Sequence, residues 1–482
     1  MIYHSTRNKE LTADSLSAVL EGIAKDGGLY IADPASVDFD WKGTLDLTAE
    51  EMSAKILHAL LPDFPDMPDI VEKSYAGKFA AKDLTPTVKV GDRYVLELFH
   101  GPTSAFKDVA LSVLPRLITA GRAVNGADGD VVILTATSGD TGKAALEGFH
   151  DVPGTRIIVF FPYKGVSRVQ ELQMCTQPGN NVTVCAVRGN FDDAQTGVKN
   201  TFAALKNKDL GGKTLSSANS INIGRLAPQV MYYFKAYADL IKEGRIQKGD
   251  KVTYVVPTGN FGDILAGYFA KLMGLPVGKL VCASNQNNVL TDFIKTGTYD
   301  KRREFYKTSS PSMDILVSSN LERMLYLLSK DTAYVADLMK QLSENGVYTV
   351  TPELLQKLQA EMDCGCTTDE ESLKTIGEVF KKYGYLCDPH TAVAWKVADD
   401  FTGGNEPVVV LSTASPYKFP AACLKALGET PDEDEFRVME RLNELTGVPV
   451  PAQLSSLETA KVLHDDVINK EDIIGYVEQH LS

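Results

Sequence analysis

The sequence is most informative at Leu96-Glu97-Leu98-Phe99-His100-Gly101-Pro102-Thr103-Ser104-Ala105-Phe106-Lys107-Asp108. An apolar strand, predicted at residues 94–99, leads into a His-Gly-Pro-Thr turn, and an amphipathic helix follows with Lys107 in its first turn. Lys107 stands between Phe106 and an apolar helix face, so we expect desolvation and the helix N-terminus to lower the pKa of its amine. A free amine suits Schiff-base chemistry. A lone lysine could equally extend its amine into solvent, so the interpretation depends on segments further along the chain.

Length and composition indicate a globular protein of two or three domains. The chain has 482 residues, of which 44% are hydrophobic and 23% charged. Its formal net charge of -14 argues against non-specific binding to nucleic acids or anionic membranes. We see neither a leader segment nor an apolar run of the roughly 20 residues that a membrane helix needs, so we expect a cytoplasmic protein. Of the seven cysteines only Cys364 and Cys366 lie close together, and we expect reduced thiols and no metal site.

Hydrophobic patterning divides the chain into three predicted units. Residues 1–88 have the pattern of a mainly helical N-terminal domain. Residues 89–425 alternate continuous apolar strands with helices, which is typical of parallel sheets covered on both faces. This middle unit contains enough strands for two doubly wound, mostly parallel sheets. Residues 426–482 are predicted to form a mainly helical C-terminal segment. The predicted fold class is therefore α/β with an added helical N-terminal domain.

Three polar loops follow predicted strands of the middle unit. In open α/β sheets, ligands bind at the edge where strands end and helices begin. The first two loops combine small residues with a following helix N-terminus, an arrangement that attracts anions. In the second loop we expect Asp263 to cap its helix rather than contact an anion. The third loop offers a hydroxyl that can bond a neutral ring nitrogen, although each loop alone could be an ordinary turn. The loops are residues 137–142, 259–263 and 412–416.

Together these features resemble a pyridoxal-phosphate site of the tryptophan synthase β type, that is, fold type II. More closely, residues 100–108, 138–142 and 259–263 resemble the threonine synthases, as do residues 5–7 and 26–30. The resemblance extends from residue 3 to about residue 425 and fits the long bacterial and fungal branch, which has an extra N-terminal domain. It implies a pyridoxal-phosphate-dependent lyase that makes L-threonine and phosphate from O-phospho-L-homoserine and water. Phosphate leaves from Cγ, and water then adds at Cβ.

The resemblance also implies roles for individual residues. Lys107 matches the Schiff-base lysine, which later moves protons at Cα and Cβ of the substrate. Thr413 matches the partner of the pyridine nitrogen, and Asp140 lies close to the ring hydroxyl. The implied cofactor-binding residues are Lys107, Gly259, Asn260, Phe261, Gly262, Asp263, Thr413 and Asp140, and the implied substrate-carboxylate loop is Ser138, Gly139, Asp140 and Thr141.

The substrate carries a phosphate of its own, so a second basic pocket is required. Our first candidate is the polar segment at residues 217–225, because its arginine can form two parallel hydrogen bonds to a phosphate. Lys164 and Arg168 are the alternative, unless they are an ordinary solvated pair. Ser415 stands where close relatives often have histidine, which puts a contact near the ring in doubt. The residues proposed from the first candidate are Asn219, Ser220, Asn222 and Arg225.

Two other classes of function stay open. One is another fold type II pyridoxal enzyme, such as a serine/threonine dehydratase, although those typically have Ser-Gly-Asn where this chain has Ser138-Gly139-Asp140. The other is a non-catalytic paralogue that binds a phosphorylated ligand, against which the intact Lys107 argues. We expect a small-molecule substrate, no nucleic acid or membrane partner, and a monomer or homodimer.

Overall fold

The N-terminal unit combines a small sheet with helices. The computed structural model describes residues 1–126, 129–137, 139–206 and 208–481. In the capping box of the second helix, the Thr48 hydroxyl accepts from the Glu51 amide and the Glu51 carboxylate accepts from the Thr48 amide. The antiparallel sheet has the strand order β2–β1–β3, and its strands are too short for a sequence pattern to reveal them. The elements are β1 (Tyr3–Ser5), β2 (Thr12–Ala13), α1 (Ser15–Glu21), β3 (Tyr30–Ile31), α2 (Ala49–Leu60) and α3 (Met67–Tyr75).

The next part of the chain alternates strands and helices, as predicted. Its elements are β4 (Thr87–Val90), β5 (Arg93–Glu97), α4 (Lys107–Val124), β6 (Val131–Ala136), α5 (Asp140–Phe149), β7 (Thr155–Pro162), α6 (Arg168–Cys175), β8 (Val182–Arg188), α7 (Phe191–Leu205), β9 (Thr214–Ser216), α8 (Ile223–Leu226) and α9 (Val230–Lys242).

The remaining elements continue to the end of the chain. They are β10 (Val252–Pro257), α10 (Gly262–Leu272), β11 (Val277–Ser284), α11 (Val289–Thr296), β12 (Thr298–Asp300), α12 (Leu321–Ser329), α13 (Thr332–Asn345), β13 (Val347–Thr349), α14 (Pro352–Glu361), β14 (Met362–Cys366), α15 (Asp369–Tyr383), α16 (Pro389–Asp400), β15 (Val408–Ser412), α17 (Pro420–Ala426), α18 (Glu435–Thr446), α19 (Ala452–Ser455), β16 (Asp466–Asn469) and α20 (Ile473–Leu481).

The larger sheet has the strand order β14–β11–β10–β15–β5–β4. Its neighbouring strands are parallel, except that β4 is antiparallel to β5. Successive residues of the central strands pack into different cores: Val255 and Val410 into one, Val256 and Val409 into the other. Side chains of a strand alternate between faces, so both faces of this sheet are covered.

The smaller sheet has the strand order β16–β8–β7–β6–β9 and is parallel throughout. Ile133 and Ile157 pack into the core shared with the larger sheet, whereas Val132 and Ile158 face a separate core that α7 and α20 cover. Two sheets with helices on both faces confirm the predicted α/β class.

The C-terminal segment differs from the mainly helical prediction at one element. β16 joins the smaller sheet as an edge strand by pairing with β8, and α20 then packs against α7. The Cys364-Gly365-Cys366 sequence also forms an edge strand, β14. Within the described ranges we find no cluster of three or more His, Cys, Asp or Glu that could hold a metal ion. Nor does any helix in those ranges have the length and apolarity to cross a membrane.

Candidate active site

Lys107 is the first residue of α4 and is placed by bonds to the end of β15. The Phe106 amide donates to the Thr413 carbonyl at 2.8 Å, and the Ser415 amide donates to the Ser104 carbonyl at 3.0 Å. Ser104 has a left-handed backbone, with φ of 59°, which turns the chain into the helix. These bonds bring Lys107 and Thr413 to the same cavity, although they are far apart in the sequence.

The turn before Lys107 is built around Asp108. The amide and hydroxyl of Thr103 donate to the Asp108 carboxylate at 2.8 and 2.5 Å. A Cβ atom at Gly101 would lie 2.5 Å from the same carboxylate, so this position has room only for glycine. Burial raises the pKa of Asp108 to about 6, although the bonds from Thr103 oppose this shift. The His-Gly-Pro-Thr sequence therefore forms a turn that packs around Asp108 and fixes the start of α4.

The predicted loops meet at a cavity of ≈ 270 Å³, close to the lower limit of about 300 Å³ for typical ligand pockets. Gly139, Asp140 and Asn222 do not line this cavity, although Asp140 borders a small neighbouring cavity with Lys107 and Thr413. Ser138 lies outside the described residues. The predicted site residues that line the cavity are Lys107, Thr141, Asn219, Ser220, Arg225, Gly259, Asn260, Phe261, Gly262, Asp263 and Thr413.

The electrostatic surroundings of Lys107 shift its amine towards the free form. Burial lowers its pKa to about 8, and the positive charges of Lys418 and Arg225 add to the effect. The Asp140 carboxylate opposes the shift because it attracts the proton. At neutral pH the amine therefore loses its proton far more often than an ordinary lysine does.

Asp140 begins α5 and stays ionised although it is buried. Its carboxylate forms an ion pair with Lys418 at 2.9 Å, and it also accepts weak hydrogen bonds from Gln170 at 3.3 Å and Ser312 at 3.4 Å. Burial favours the neutral acid, but the charges of Lys418 and Lys107 outweigh burial and hold the pKa of Asp140 well below its usual range. A fixed negative charge thus lies between two lysine amines.

The loop at residues 259–263 has the geometry of an anion cradle. Phe261 has a left-handed backbone, with φ of 64°, and a Cβ atom at Gly259 would lie 2.9 Å from the Ser312 carbonyl. The Ser318 hydroxyl donates to the Gly259 carbonyl at 2.7 Å, and the Asn320 amide donates to the Asn260 carbonyl at 3.0 Å. Residues of another segment thus bond the carbonyls of Gly259 and Asn260, and the first N–H groups of α10 are available to bind an anionic ligand.

The expectation that Asp263 caps α10 is wrong. Phe261 is the N-cap residue, and Asp263 lies in the first turn. Its Oδ1 accepts from the hydroxyls of Tyr232 at 2.6 Å and Tyr233 at 2.9 Å, which anchors α10 to α9. Burial raises the pKa of Asp263 to about 6, although the two tyrosine bonds oppose the shift. Its Oδ2 is buried, and none of the described residues forms a hydrogen bond with it.

Arg225 is a buried cation that lines the cavity. It is 3% exposed, and its Nη1 donates to the Ala218 carbonyl at 2.5 Å. Among the described residues, none accepts a hydrogen bond from its Nε, and no carboxylate forms an ion pair with its guanidinium. Burial lowers its pKa to about 10, which still leaves it charged at neutral pH. A buried guanidinium without a counter-ion is a suitable place for an anionic ligand group.

The neighbouring Asn222 is turned away from the cavity. Its amide nitrogen donates to the Val19 carbonyl at 2.9 Å, and its carbonyl oxygen accepts from the Gly224 amide at 2.8 Å, which caps α8. The structure therefore brings Asn219, Ser220 and Arg225 to the cavity and uses Asn222 to attach their loop to the N-terminal unit.

The alternative basic pair lies elsewhere. Lys164 and Arg168 are exposed, Arg168 bonds Glu171 at 3.4 Å, and neither basic residue lines the cavity. Ser415 does not line the cavity either: its hydroxyl accepts from the Tyr417 amide at 3.3 Å and caps the turn that leads to Lys418.

Sequence reasoning missed Lys418 and His390. Lys418 is flanked by two aromatic residues, the same kind of signal that singled out Lys107, so it could have been found. His390 lines the cavity; its Nδ1 bonds Asp388 at 2.6 Å, and its Nε2 accepts from the Ser312 amide at 3.2 Å. An accepting Nε2 leaves the proton on Nδ1, so His390 is neutral in this arrangement and holds the segment at Ser312 against the cavity.

Three family models match the chain. The pyridoxal-phosphate dependent enzyme model matches residues 81–414, the threonine synthase N-terminal model residues 2–75, and the threonine synthase C-terminal model residues 391–468. Among curated proteins, threonine synthase of Pseudomonas aeruginosa is 39% identical over 440 residues, which are 89% of this chain and 92% of the relative.

Two further relatives extend the comparison. Human threonine synthase-like 1 is 40% identical over 432 residues, and the match covers 85% of this chain but only 57% of the relative's length. The crystal structure of pyridoxal-phosphate-bound threonine synthase from Brucella melitensis superimposes with a TM-score of 0.87 at 38% identity, covering 100% of this chain and 98% of that one.

Proposed function

Because the chain belongs to the threonine synthase family of pyridoxal-phosphate-dependent enzymes, we propose that it converts O-phospho-L-homoserine and water to L-threonine and phosphate. One observation carries this proposal: the amine of Lys107 shares its cavity with two separate places for anions. The first is the start of α10, and the second is the guanidinium of Arg225, which forms no ion pair with a described carboxylate. A phosphorylated cofactor and a phosphorylated substrate require two such places.

The residues present fit pyridoxal phosphate. Lys107 offers an amine with a lowered pKa, and the tight approach of Gly259 to Ser312 shapes a cradle that a side chain would fill. We propose that Lys107, residues 259–263, Thr413 and Asp140 hold the cofactor. When bound, the cofactor supplies an electron sink for negative charge that develops on the substrate.

The chain's own groups then have distinct tasks. Lys107 holds or releases a proton at Cα and Cβ of the substrate, since its pKa of about 8 suits both directions near neutral pH. The Thr413 hydroxyl, which lines the cavity, would bond the ring nitrogen without giving it a full charge, and this would favour elimination over transamination. We propose that Ser138, Gly139, Asp140 and Thr141 provide the carboxylate site, supported by the N-terminus of α5 that this loop opens.

The substrate's phosphate is assigned to Arg225 with Asn219 and Ser220. Burial of Arg225 strengthens its attraction for an anion, because the low dielectric weakens screening. Lys164 and Arg168 do not line the cavity, which makes them the weaker candidates.

We also propose the division into residues 1–88, 89–425 and 426–482, a cytoplasmic location, and a monomer or homodimer. The family models change between residues 75 and 81, a few residues before the first proposed boundary, which supports a division in this region. The pairing of β16 with β8 indicates that the last unit is packed onto the core.

Incubation of the purified protein with pyridoxal phosphate and O-phospho-L-homoserine tests the function. We expect phosphate and threonine in equal amounts, and none of either from Lys107→Ala, with Lys164→Ala as the active control. Phosphate without threonine would indicate an eliminating relative. Neither product from the intact protein would favour the non-catalytic phosphoryl-ligand binder.

A further inference from the structure

Lys418 is a buried lysine to which the proposed function gives no task. It is 3% exposed, and its ammonium lies 2.9 Å from Asp140, 3.0 Å from the Thr103 carbonyl and 3.4 Å from Gln173. A lysine ammonium has three N–H donors, so these three acceptors occupy all of them. A buried ammonium needs such partners, because an unpaired charge in this environment is costly.

The three partners belong to three different parts of the site. Thr103 lies in the turn that fixes Lys107, and Asp140 begins α5. Gln173 belongs to α6, and Lys418 itself follows β15 in the turn capped by Ser415. One ammonium therefore fixes the position of Asp140 relative to the Lys107 turn.

We propose that Lys418 is a positioning residue that holds Asp140 as an anion beside Lys107 and so makes it easier for the Lys107 amine to lose its proton. This inference deepens the proposed function and rests on its assignment of Lys107 and Asp140 to one reaction site. The physical reason is charge balance around a single carboxylate. If Lys107 were the only cation near Asp140, the carboxylate would be neutralised by keeping Lys107 protonated. Lys418 supplies that positive charge permanently.

The other charged groups nearby do not replace Lys418. Arg225 and Asp108 act on Lys107 with opposite signs, and His390 of α16 adds no charge because its Nε2 accepts from the Ser312 amide. Arg225 directs one N–H to Ala218, and Asp108 is bonded to Thr103. Of the described cations, Lys418 is the one that forms an ion pair with Asp140.

Competitive acetylation of the full chain freed of cofactor tests the proposal. Mass spectrometry of the Lys107 peptide between pH 6 and 10 gives the pKa of that amine without any turnover. In Lys418→Met we expect the pKa of Lys107 to rise above about 8. It should stay below the value of about 10.4 for an ordinary lysine, because burial, the largest cause of its lowering, remains. At pH 8 the labelling rate should fall by about tenfold.

Two variants serve as controls. Lys418→Arg keeps the charge and should restore the wild-type labelling profile. Lys143→Met removes a lysine from the same helix as Asp140, but this lysine bonds Glu147 at 3.2 Å, so the profile should not change. A merely structural role of Lys418 would change the melting temperature but not the titration of Lys107.

The proposal is overturned if folded Lys418→Met labels like the wild type, or if Lys143→Met shifts the profile equally. Should Lys418→Met fail to fold, Lys418→Gln removes the charge and keeps a hydrogen-bond donor. Loss of folding in both neutral variants would also overturn the proposal, in favour of a structural role. If the wild type forms no threonine while its labelling responds to Lys418→Met, the proposed function fails and this inference stands.

Discussion

Lys107 and Arg225 are two cations at one cavity whose pKa values burial lowers in the same direction but with different consequences. Burial lowers the pKa of both, but Lys107 reaches about 8 and Arg225 only about 10. At pH 7 roughly a tenth of Lys107 is then neutral, compared with about 0.04% of an ordinary lysine. Arg225 stays charged. The same environment therefore produces a nucleophilic amine and a permanent anion site.

The lowered pKa of Lys107 predicts how cofactor uptake depends on pH. The free amine is the form that reacts with an aldehyde, so the rate should rise about tenfold from pH 6 to pH 7 and level off above pH 8. Stopped-flow absorbance after mixing cofactor-free protein with pyridoxal phosphate measures this rate. A rate that keeps rising to pH 10 would show an ordinary lysine. Lys107→Ala, the control, should retain no cofactor after borohydride reduction.

Arg225→Ala should weaken substrate binding selectively. Hydrogen bonds to charged groups contribute about 1.5–3 kcal/mol each, so we expect KM for O-phospho-L-homoserine to rise roughly 10- to 100-fold. The affinity for pyridoxal phosphate should change by less than about threefold, because the start of α10 is left intact. Steady-state kinetics and a cofactor titration separate the two effects.

The matched control is Arg168→Ala. Arg168 is exposed and bonds Glu171, so its removal should leave KM within about twofold of the wild type. An unchanged KM in Arg225→Ala would mean that the substrate's phosphate binds elsewhere in the cavity.

At the scale of helices and strands, the buried parallel strands were the most predictable elements. The observed bounds of β6, Val131–Ala136, coincide with the apolar run in the sequence. Such strands are covered on both faces and therefore carry continuous apolar residues. β14 and β16 were missed because they are short edge strands with exposed polar residues, Met-Asp-Cys-Gly-Cys and Asp-Val-Ile-Asn. They are recognisable as strands only from their pairing with β11 and β8.

The same distinction applies to the site. That the loops after β5, β6, β10 and β15 converge follows from the rule for open parallel sheets. The hydrogen bonds of Asp263 and Asn222 could not be predicted, because their partners, Tyr232, Tyr233 and Val19, come from other elements. Local sequence shows that an aspartate stands near a helix start, but not which group will form a hydrogen bond with its carboxylate.

The loop at residues 259–263 is held by a neighbouring segment rather than by its own bonds. Besides its amide, Asn320 uses its side-chain nitrogen, which donates to the carbonyls of Asn260 and Ser220, each at 3.2 Å. Asn320 thus connects the cradle for the cofactor with the loop proposed for the substrate.

Asn320→Ala should therefore weaken cofactor binding. Loss of the two bonds that its nitrogen donates, at about 1 kcal/mol each, predicts a roughly 10- to 30-fold rise in the Kd for pyridoxal phosphate. The bond that the Asn320 oxygen accepts from Arg323 is lost as well. Absorbance titration of the cofactor-free protein measures it. The control is Ser319→Ala, since the half-buried Ser319 makes only a 3.4 Å contact with Asn260, and its Kd should stay within twofold or so of the wild type. Equal effects of the two changes would contradict the assignment.

At the scale of the whole molecule, α12 joins the N-terminal unit to the site. The Glu322 carboxylate accepts from the Thr6 hydroxyl at 2.5 Å and from two nitrogens of Arg7 at 2.8 Å. The adjacent Arg323 is fully buried and donates to the Tyr30 carbonyl at 3.0 Å. Two consecutive residues of one helix thus hold β3 and the two residues that follow β1. The N-terminal unit is therefore bonded to the same helix that begins beside Asn320.

Substitution of Arg323 should affect two distant parts of the molecule, because its side chain bonds both the N-terminal unit and the loop before α8. Besides Tyr30, its guanidinium donates to the Ile221 carbonyl at 2.6 Å and to Asn320 at 2.5 Å. Arg323→Gln would leave at least two buried acceptors unpaired, which should lower the free energy of unfolding by about 2–6 kcal/mol. We also expect faster amide exchange at both residues 28–31 and residues 219–222, because one side chain holds both. Calorimetry and hydrogen exchange monitored by mass spectrometry measure these effects.

The control is Arg302→Gln, at an exposed ion pair, which should change the free energy of unfolding by less than about 0.5 kcal/mol and leave the amide exchange unchanged. Faster exchange in only one of the two segments would show that Arg323 does not couple the N-terminal unit to the site.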